Sequence, residues 1–473
     1  MATFVGRPMR SSLVGLALAL VLSGCFGSGN TTSSGSPETG MPPAAPFNFT
    51  IVQVDQSLDV SEPSIMTDPT GTMWIGGPTG FAKTIVRKDP SPLEHDTALF
   101  KSSDGGATWT SVLQVPMYGR DTCPGGGDSD ISSAPDGTIF MIDLNLANAP
   151  VDVSYDGGKT WLFNCNSSVE PGIDRQWIAS TNSWVWVSVN GLTGGPIVYR
   201  AQRQLLPPEG PALPIDGSLV FGAPVSVTNG GAIVVDQLTG TVYLAGSGAT
   251  AAVSHDNGAT FQDVQTGLAA DGVDLSGSFI SIAVDHAGNV YVSGAGPKGV
   301  WISASADHGT TWTPATRFEP YAAGPNPEGG DGEYSFSWVG AGGNGTVGFS
   351  WYGWPSPNAT GLYKTPSAGY YLFAGQTTLS ALQAGNNATA AYARVSPTPV
   401  STKRLCIGIS LPTFTQCDQA DPSKTRSLGD FFENGYDNDG HLVISYVDAT
   451  SDPPNKLMFA KQTSGVFAEP GWH

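Results

Sequence analysis

Residues 102–109 read SSDGGATW, and this stretch decides the fold because it recurs along the chain. The pattern, Ser-x-Asp-x-Gly-x-Thr followed by an aromatic residue, starts again at Ser154, Ser254 and Ser305. The four first serines are separated by 52, 100 and 51 residues. One unit of about 50 residues explains every gap if a single copy has diverged. The sequence therefore predicts a repeat architecture.

The repeated pattern has the chemistry of a tight hairpin turn. Its aspartate accepts backbone N–H groups within the turn, and its glycine adopts a backbone conformation that other residues resist. The aromatic residue is expected to pack inward. We therefore expect a structural role for the four aspartates, Asp104, Asp156, Asp256 and Asp307.

These residues resemble the Asp box, or BNR repeat, of sialidases. In that superfamily the motif lies at the outer edge of the blades of a β-propeller, far from the catalytic centre. The resemblance covers nearly the whole chain after its N-terminal segment. It implies an all-β propeller fold and indicates little about any reaction, because the motif defines the fold and not the site.

A second element precedes the turns, as an apolar strand, a Gly-containing turn and another strand. The alternation of β-branched and aromatic residues around Asn/Asp-Gly or Pro-x-Gly turns is typical of β-hairpins. Seven copies are present, at 62–75, 128–142, 174–187, 231–245, 278–292, 333–351 and 430–446. We predict seven four-stranded blades, with six, as in sialidases, as the alternative. The strand at 47–54 is expected to complete the last blade.

The N-terminus carries an export signal. Arg7 and Arg10 precede an apolar run at 13–22 that is too short to span a bilayer. The following Leu-Ser-Gly-Cys25 resembles the lipobox of prokaryotic lipoproteins, which implies lipidation of Cys25; an ordinary cleaved signal is the alternative. The predicted organisation is a signal peptide at 1–24, a lipidated cysteine and flexible linker at 25–46, and a propeller at 47–473. We expect a monomer anchored outside the cytoplasmic membrane or on the cell surface.

Charge and composition limit the functions that fit. The chain has 40 acidic against 21 basic side chains and a formal net charge of −19, which disfavours nucleic-acid binding. Only 13% of residues are charged and 61 of 473 are glycine, so turns are plentiful and long amphipathic helices are unexpected.

The remaining cysteines are even in number, which suggests disulfides in an exported chain. We expect Cys406 to pair with Cys417 and Cys123 with Cys165. Metal binding is the rival interpretation, but the chain contains no C-x-x-C motif.

Residues just before the inner strands of a propeller converge around its central funnel. In this chain they are mostly acidic, and such a cluster suits Ca²⁺ or a polyhydroxylated ligand. The alternative is that these acids only satisfy backbone N–H groups of loops. The candidate site residues are Asp130, Asp174, Arg175, Glu333, Tyr334, Arg426 and Asp430.

Sialidases bind the substrate carboxylate with three arginines and use a Tyr–Glu pair and an aspartate for catalysis. The motif that carries the first arginine is absent here, and Glu62 stands where a cation would be needed. We therefore expect a propeller that binds glycan or protein ligands at an acidic funnel. An exo-acting glycoside hydrolase using funnel carboxylates is the second hypothesis, and a factor that helps to assemble membrane complexes is the third.

Overall fold

The computed structural model describes most of the chain after its N-terminal segment. The described residues are 46–79, 97–112, 127–144, 149–164, 172–191, 194–203, 219–246, 249–270, 272–275, 279–321, 333–385, 389–406, 409–410, 415–416, 421, 423–451 and 455–472. The predicted signal peptide, Cys25, Cys123, Cys165 and Cys417 lie outside them. Both disulfides therefore stay predictions.

Seven four-stranded antiparallel sheets, blades 1 to 7, form the molecule. In the order inner, second, third and outer strand, blade 1 consists of Ser64–Thr67, Met73–Pro78, Thr97–Ser102 and Thr110–Ser111. Blade 2 consists of Ser129–Ser133, Ile139–Asp143, Val151–Ser154 and Leu162–Asn164. Blade 3 consists of Ile173–Ser180, Trp184–Gly191, Gly195–Gln202 and Val225–Ser226.

The remaining blades repeat this order. Blade 4 consists of Ile233–Val235, Val242–Ala245, Thr250–Ser254 and Gln262–Gln265. Blade 5 consists of Ser281–Val284, Val290–Gly296, Gly299–Ser305 and Thr316–Phe318. Blade 6 consists of Glu333–Gly342, Thr346–Trp354, Tyr371–Thr378 and Ala391–Arg394. Blade 7 consists of Asn434–Tyr436, Leu442–Asp448, Lys456–Gln462 and Phe49–Gln53.

Other regular elements in the described residues are short. They are an α-helix, Leu379–Gln383, two 3₁₀ turns, Gly267–Ala269 and Gly361–Tyr363, and two small sheets between blades 6 and 7. The first small sheet pairs Arg404–Leu405 with Lys424–Thr425, and the second pairs Ile409–Ser410 with Thr415–Gln416. Within the described part of the chain, no helix has the length and apolar character of a membrane span.

The inner strands form a closed ring around one axis. Each inner strand contacts the inner strands of the two neighbouring blades, and that of blade 7 contacts that of blade 1. Blade 7 joins the two ends of the described chain, because Phe49 pairs with Gln462 and Gln53 with Met458. The predicted seven blades, all seven hairpins and the closing strand are confirmed, and the six-blade alternative is wrong.

The four Ser-x-Asp turns connect the third and outer strands of blades 1, 2, 4 and 5. In blade 1 the backbone N–H of Gly106 donates to Ser102 Oγ at 2.9 Å, and that of Thr108 donates to Asp104 Oδ1 at 2.9 Å. Hydrogen bonds from the Thr108 side chain and backbone lower the pKa of Asp104 to about 2. The other three turns repeat these bonds, which explains the spacing of the motif.

Each turn also packs against the preceding blade through the glycine at the fifth position of the motif. A Cβ on Gly158 of blade 2 would lie 2.5 Å from the ring of Trp74 in blade 1. The equivalent glycines lie against Phe459 of blade 7, Trp186 of blade 3 and Tyr243 of blade 4. The turns therefore join neighbouring blades as well as ending hairpins.

Replacing Gly158 with alanine tests this packing. Gly158→Ala should lower the free energy of unfolding by about 2–4 kcal/mol, because it adds a left-handed backbone penalty to overpacking against Trp74. Gly157 is the matched control, since its φ is +69° and a Cβ there meets nothing within 4 Å. Gly157→Ala should cost only about 1 kcal/mol. If denaturant unfolding gave the same loss of free energy of unfolding for both variants, the contact with Trp74 would contribute nothing to stability.

Candidate functional site

All seven inner strands begin on one side of the ring, which we call the entry face. Because each blade is an antiparallel meander, the turn between its third and outer strands lies on the opposite face. The Ser-x-Asp turns are therefore remote from the entry face. Residues at the start of the inner strands meet near the axis.

An arginine–carboxylate group links blades 3 and 7 across this axis. Asp430, just before blade 7, accepts hydrogen bonds from Arg175 of blade 3 and from Arg426, which donates at 2.9 Å. The Arg175 guanidinium also lies 3.7 Å from the ring centroid of Phe279, which precedes the inner strand of blade 5. The two cations thus share one carboxylate.

A pair of carboxyl groups lies beside the arginines. Glu62 of blade 1 is buried, and its Oε1 accepts the backbone N–H of Asp430 at 2.8 Å. Its carboxylate also forms a hydrogen bond with the side chain of Asp128. Burial, and then the neighbouring Glu62 carboxylate, raise the pKa of Asp128 well above its usual range. The shift favours the protonated form of Asp128, whose O–H can donate a hydrogen bond to Glu62.

Asp174 completes the group. Burial, and then the charge of Asp128, raise the pKa of Asp174, while Arg175 and Arg426 oppose the shift. We call the six residues the funnel cluster: Glu62, Asp128, Asp174, Arg175, Arg426 and Asp430. Half of them are buried, whereas Asp128, Asp174 and Arg175 are partly exposed to solvent.

The backbone at the funnel is unusual at two non-glycine positions. Arg175 has a φ of 58° and Glu62 a φ of 46°, both in the left-handed region. At Arg175 this accompanies a β-bulge between Asp174 and Gln176. Such strain costs on the order of 1 kcal/mol or more and is concentrated at functional sites. The bulge turns the Arg175 side chain towards Asp430.

The candidate residues from the sequence divide into three groups. Asp174, Arg175, Arg426 and Asp430 come together in the funnel cluster. Tyr334 lies instead in the core between blades 5 and 6, stacked on Tyr321 with 4.6 Å between ring centroids. Burial raises the pKa of Tyr334 far above the usual value.

The other two candidates, Glu333 and Asp130, lie elsewhere in blades 6 and 2. For Glu333 only the backbone is described, and it pairs with Trp354 at the start of blade 6. Asp130 lies further along its inner strand than Asp128 and belongs to a cavity described below. A functional role for any of these residues stays a prediction.

An aromatic group lies beside the cluster, and sequence reasoning missed its member Phe431. Phe431 follows Asp430, and its ring lies 6.3 Å from that of Trp177 and 6.1 Å from that of Trp338, between centroids. Blades 3, 6 and 7 therefore meet through three rings, which we call the aromatic barrier. On blades 3 and 7 it follows the funnel residues along the chain. The signal in the sequence that could have found this group is an aromatic residue one or two positions after a funnel residue.

A cavity of about 280 Å³, the central cavity, lies along the inner strands and is lined by two barrier residues, Trp177 and Trp338. Its lining includes the buried carboxyl groups of Asp130 from blade 2 and Glu433 from blade 7. Asp130 accepts the backbone N–H of Ile178 in blade 3 at 2.8 Å, and Glu433 accepts that of Ile65 in blade 1 at 3.2 Å. Each carboxyl group thus joins its blade to the next.

Burial raises the pKa of Asp130 to about 7 although two backbone N–H groups oppose the shift. Burial, and then the charge of Asp130, raise the pKa of Glu433 well above its usual range. Both groups therefore bind protons more tightly in the folded state than in the unfolded chain.

The stability of the protein should consequently fall as pH rises from about 4 to about 7, where unfolded carboxyl groups are ionised and the buried ones are not. We expect the Tm at pH 5 to exceed that at pH 7.5 by at least about 2 °C. Asp130→Asn should reduce this difference, because asparagine does not titrate. A Tm that rises over this interval, or the same pH dependence in the variant, would contradict the assignment.

The candidate metal ligands lie elsewhere. Among the described residues, Asp437, Asp439 and His441 in a turn of blade 7 are close enough together for one ion. Asp437 already contacts Lys461 at 2.6 Å and His441 at 3.0 Å, which accounts for its position without a metal. The expectation of Ca²⁺ in the funnel stays a prediction.

Comparisons with known proteins give similarities at the level of fold. No family model and no curated protein matches the chain. A protein of unknown function from Dyadobacter fermentans is 12% identical, with a TM-score of 0.43 and coverage of 89% of this chain and 99% of that one. An α-L-arabinofuranosidase from Fusarium graminearum is 12% identical, with a TM-score of 0.44 and coverage of 89% and 97%.

A sialidase from Trypanosoma rangeli is 14% identical, with a TM-score of 0.35 and coverage of 70% of this chain and 54% of that one. At these identities and TM-scores the similarities carry no argument about function. The functional argument therefore rests on the residues of this chain.

Proposed function

We propose that this protein is an exported, lipid-anchored β-propeller that binds a glycan at the funnel cluster. One observation carries the proposal. Guanidinium and carboxyl groups from the starts of four inner strands come together on the axis. Three of these side chains, Asp128, Asp174 and Arg175, are partly exposed.

The chemistry of the cluster suits sugar hydroxyl groups. Carboxylates accept hydrogen bonds in pairs and guanidiniums donate them in pairs, so both match the spacing of neighbouring hydroxyls. A charge-assisted hydrogen bond is also about twice as strong as a neutral one. The half-buried ring of Phe279 adds an apolar surface beside them.

The charge balance favours a neutral glycan over a sialylated one. Asp430 contacts both arginines of the cluster, and three further carboxyl groups surround them. The arginines are therefore already neutralised, and an anionic substrate would meet a net negative field. The net charge of −19 for the whole chain acts in the same direction.

A binding panel tests the proposal. The full-length protein in detergent should bind one or more neutral oligosaccharides in a glycan array and in calorimetry, and sialylated ones more weakly. Asp174→Asn should weaken binding about tenfold, since it removes a charge-assisted acceptor. Asp263→Asn, an exposed carboxylate on the outer strand of blade 4, is the matched control and should have no effect.

Unchanged affinity in Asp174→Asn, or binding confined to sialylated glycans, would contradict the proposal. Capture of a membrane protein complex without glycan binding would favour the third hypothesis, an assembly factor.

A glycoside hydrolase is the second candidate because the pKa of Asp128 is raised. Glycosidases pair a carboxylic acid that stays protonated with a second carboxylate that acts as base or nucleophile. Asp128 has the raised pKa of such an acid, and Asp174 is a partly exposed carboxyl group within its electrostatic reach.

Chromogenic glycosides distinguish this candidate from simple binding. If the protein is a hydrolase, Asp128→Asn should lower kcat by at least about 100-fold, because asparagine cannot donate the proton. It should also remove the alkaline limb of the pH–rate profile. Turnover that survives Asp128→Asn would exclude this mechanism, and the absence of turnover in the native protein would leave binding as its function.

A further inference from the structure

The central cavity is separate from the funnel cluster. Along blade 7, Asp430 of the cluster is followed by Phe431 of the aromatic barrier and then by Glu433 of the cavity. The lining continues to the face opposite the entry face, where Leu238 is 74% exposed and His286 is exposed. Trp472 lies there too and donates its indole N–H to the carbonyl oxygen of Thr67 at 2.9 Å. The cavity is therefore approached from the opposite face.

The lining carries acidic residues without arginine or lysine. Among the described residues that line the cavity, four are acidic, and none is Arg or Lys. Asp236 and Asp285 accept backbone N–H groups of their own turns at 2.8 and 2.9 Å. Asp130 and Glu433 lie deeper, between blades. The electrostatic field inside the cavity is thus one that attracts cations.

Three buried side chains of the lining each have a polar atom without a hydrogen-bond partner among the described residues. These atoms are Trp177 Nε1, Thr67 Oγ1 and Asn434 Oδ1, on side chains that are 4%, 7% and 5% exposed. Buried polar groups in native proteins are nearly always satisfied, and each unsatisfied one costs about 1–3 kcal/mol. A donor and two oxygen atoms without partners in one cavity indicate a polar ligand.

The side chains that line the cavity indicate which other groups the ligand contains. Trp177 and Trp338 present indole rings, and Ile65, Ile131 and Ile178 add aliphatic surface. An indole face attracts an ammonium group, and the attraction increases where water is excluded. Aliphatic walls suit methyl or methylene groups.

We propose that the central cavity binds a small organic cation that also carries an oxygen atom, an amino alcohol or its quaternary ammonium form. Glu433 and Asp130 face the positive charge, which favours their ionised forms, and the indole rings contact its alkyl groups. The oxygen accepts from Trp177 Nε1 and donates to Thr67 Oγ1 or Asn434 Oδ1. This site is independent of ligand binding at the entry face.

Other ligand classes fit less well. An anion would face four acidic residues without a lysine or arginine in the described lining. Ca²⁺ takes six to eight oxygen ligands, whereas the walls around Asp130 and Glu433 are largely aliphatic and aromatic. A neutral apolar molecule would leave the three polar atoms without partners.

Choline and 3,3-dimethylbutan-1-ol form a matched pair of probes, because they have nearly the same shape and only choline is charged. We expect the full-length protein, in a detergent without a choline headgroup, to bind choline at least about tenfold more tightly in calorimetry. Glu433→Gln keeps an acceptor for the N–H of Ile65 and should weaken choline binding at least about fivefold. It should leave the affinity for the alcohol unchanged.

Asp263→Asn removes an exposed carboxylate outside the cavity and serves as the charge control. The comparison of the two probes needs no variant, so it tests the proposal even if Glu433→Gln fails to fold. In that case Asp130→Asn is the second variant. Equal affinities for the two probes, no binding of choline, or displacement of choline by equimolar Ca²⁺ would each overturn the proposal.

Discussion

The pairing of Phe49–Gln53 with Lys456–Gln462 is the interaction on which the rest of the structure depends. It places the first and last described strands in one sheet, so that blade 7 closes the ring between blades 6 and 1. Without closure the inner strands of blades 1 and 7 would present exposed edges and faces. Both the funnel cluster and the central cavity use residues from these two blades. The sites therefore exist only in the closed ring.

The two ends of the axis differ because the same residue types meet different partners. At the entry face, arginines neutralise the carboxyl groups, and the residues that remain partly exposed suit a glycan. In the central cavity, Asp130 and Glu433 lie among aliphatic and aromatic side chains without a basic neighbour in the described lining. Burial then raises their pKa values, while a cation bound in the cavity favours their ionised forms. Three aromatic rings lie between these environments.

Much of the fold could be predicted, because its signals are local. The turn at 102–109 and the seven hairpins depend on residues within about 20 positions of one another, where alternation and turn chemistry are decisive. Asp174, Arg175, Arg426 and Asp430 were predicted to converge because each precedes an inner strand. Tyr334 was also expected at the funnel, but the side of a strand that faces the axis depends on the bulge after Ser335. A bulge of this kind has no clear local signature.

The repeat, the closing strand and the acidic character of the funnel could be derived from the residues alone, and seven blades were predicted with six as the alternative. Only the tertiary structure decided which charges meet. Arg175 and Asp430 are 255 positions apart, and Glu62 and Asp430 are 368 positions apart. Contacts over such separations depend on ring closure and on the rotation of each blade, which no local pattern encodes. The raised pKa of Asp128 and the unsatisfied atoms of the central cavity also depend on the tertiary structure, because desolvation and hydrogen bonding act over a few ångströms.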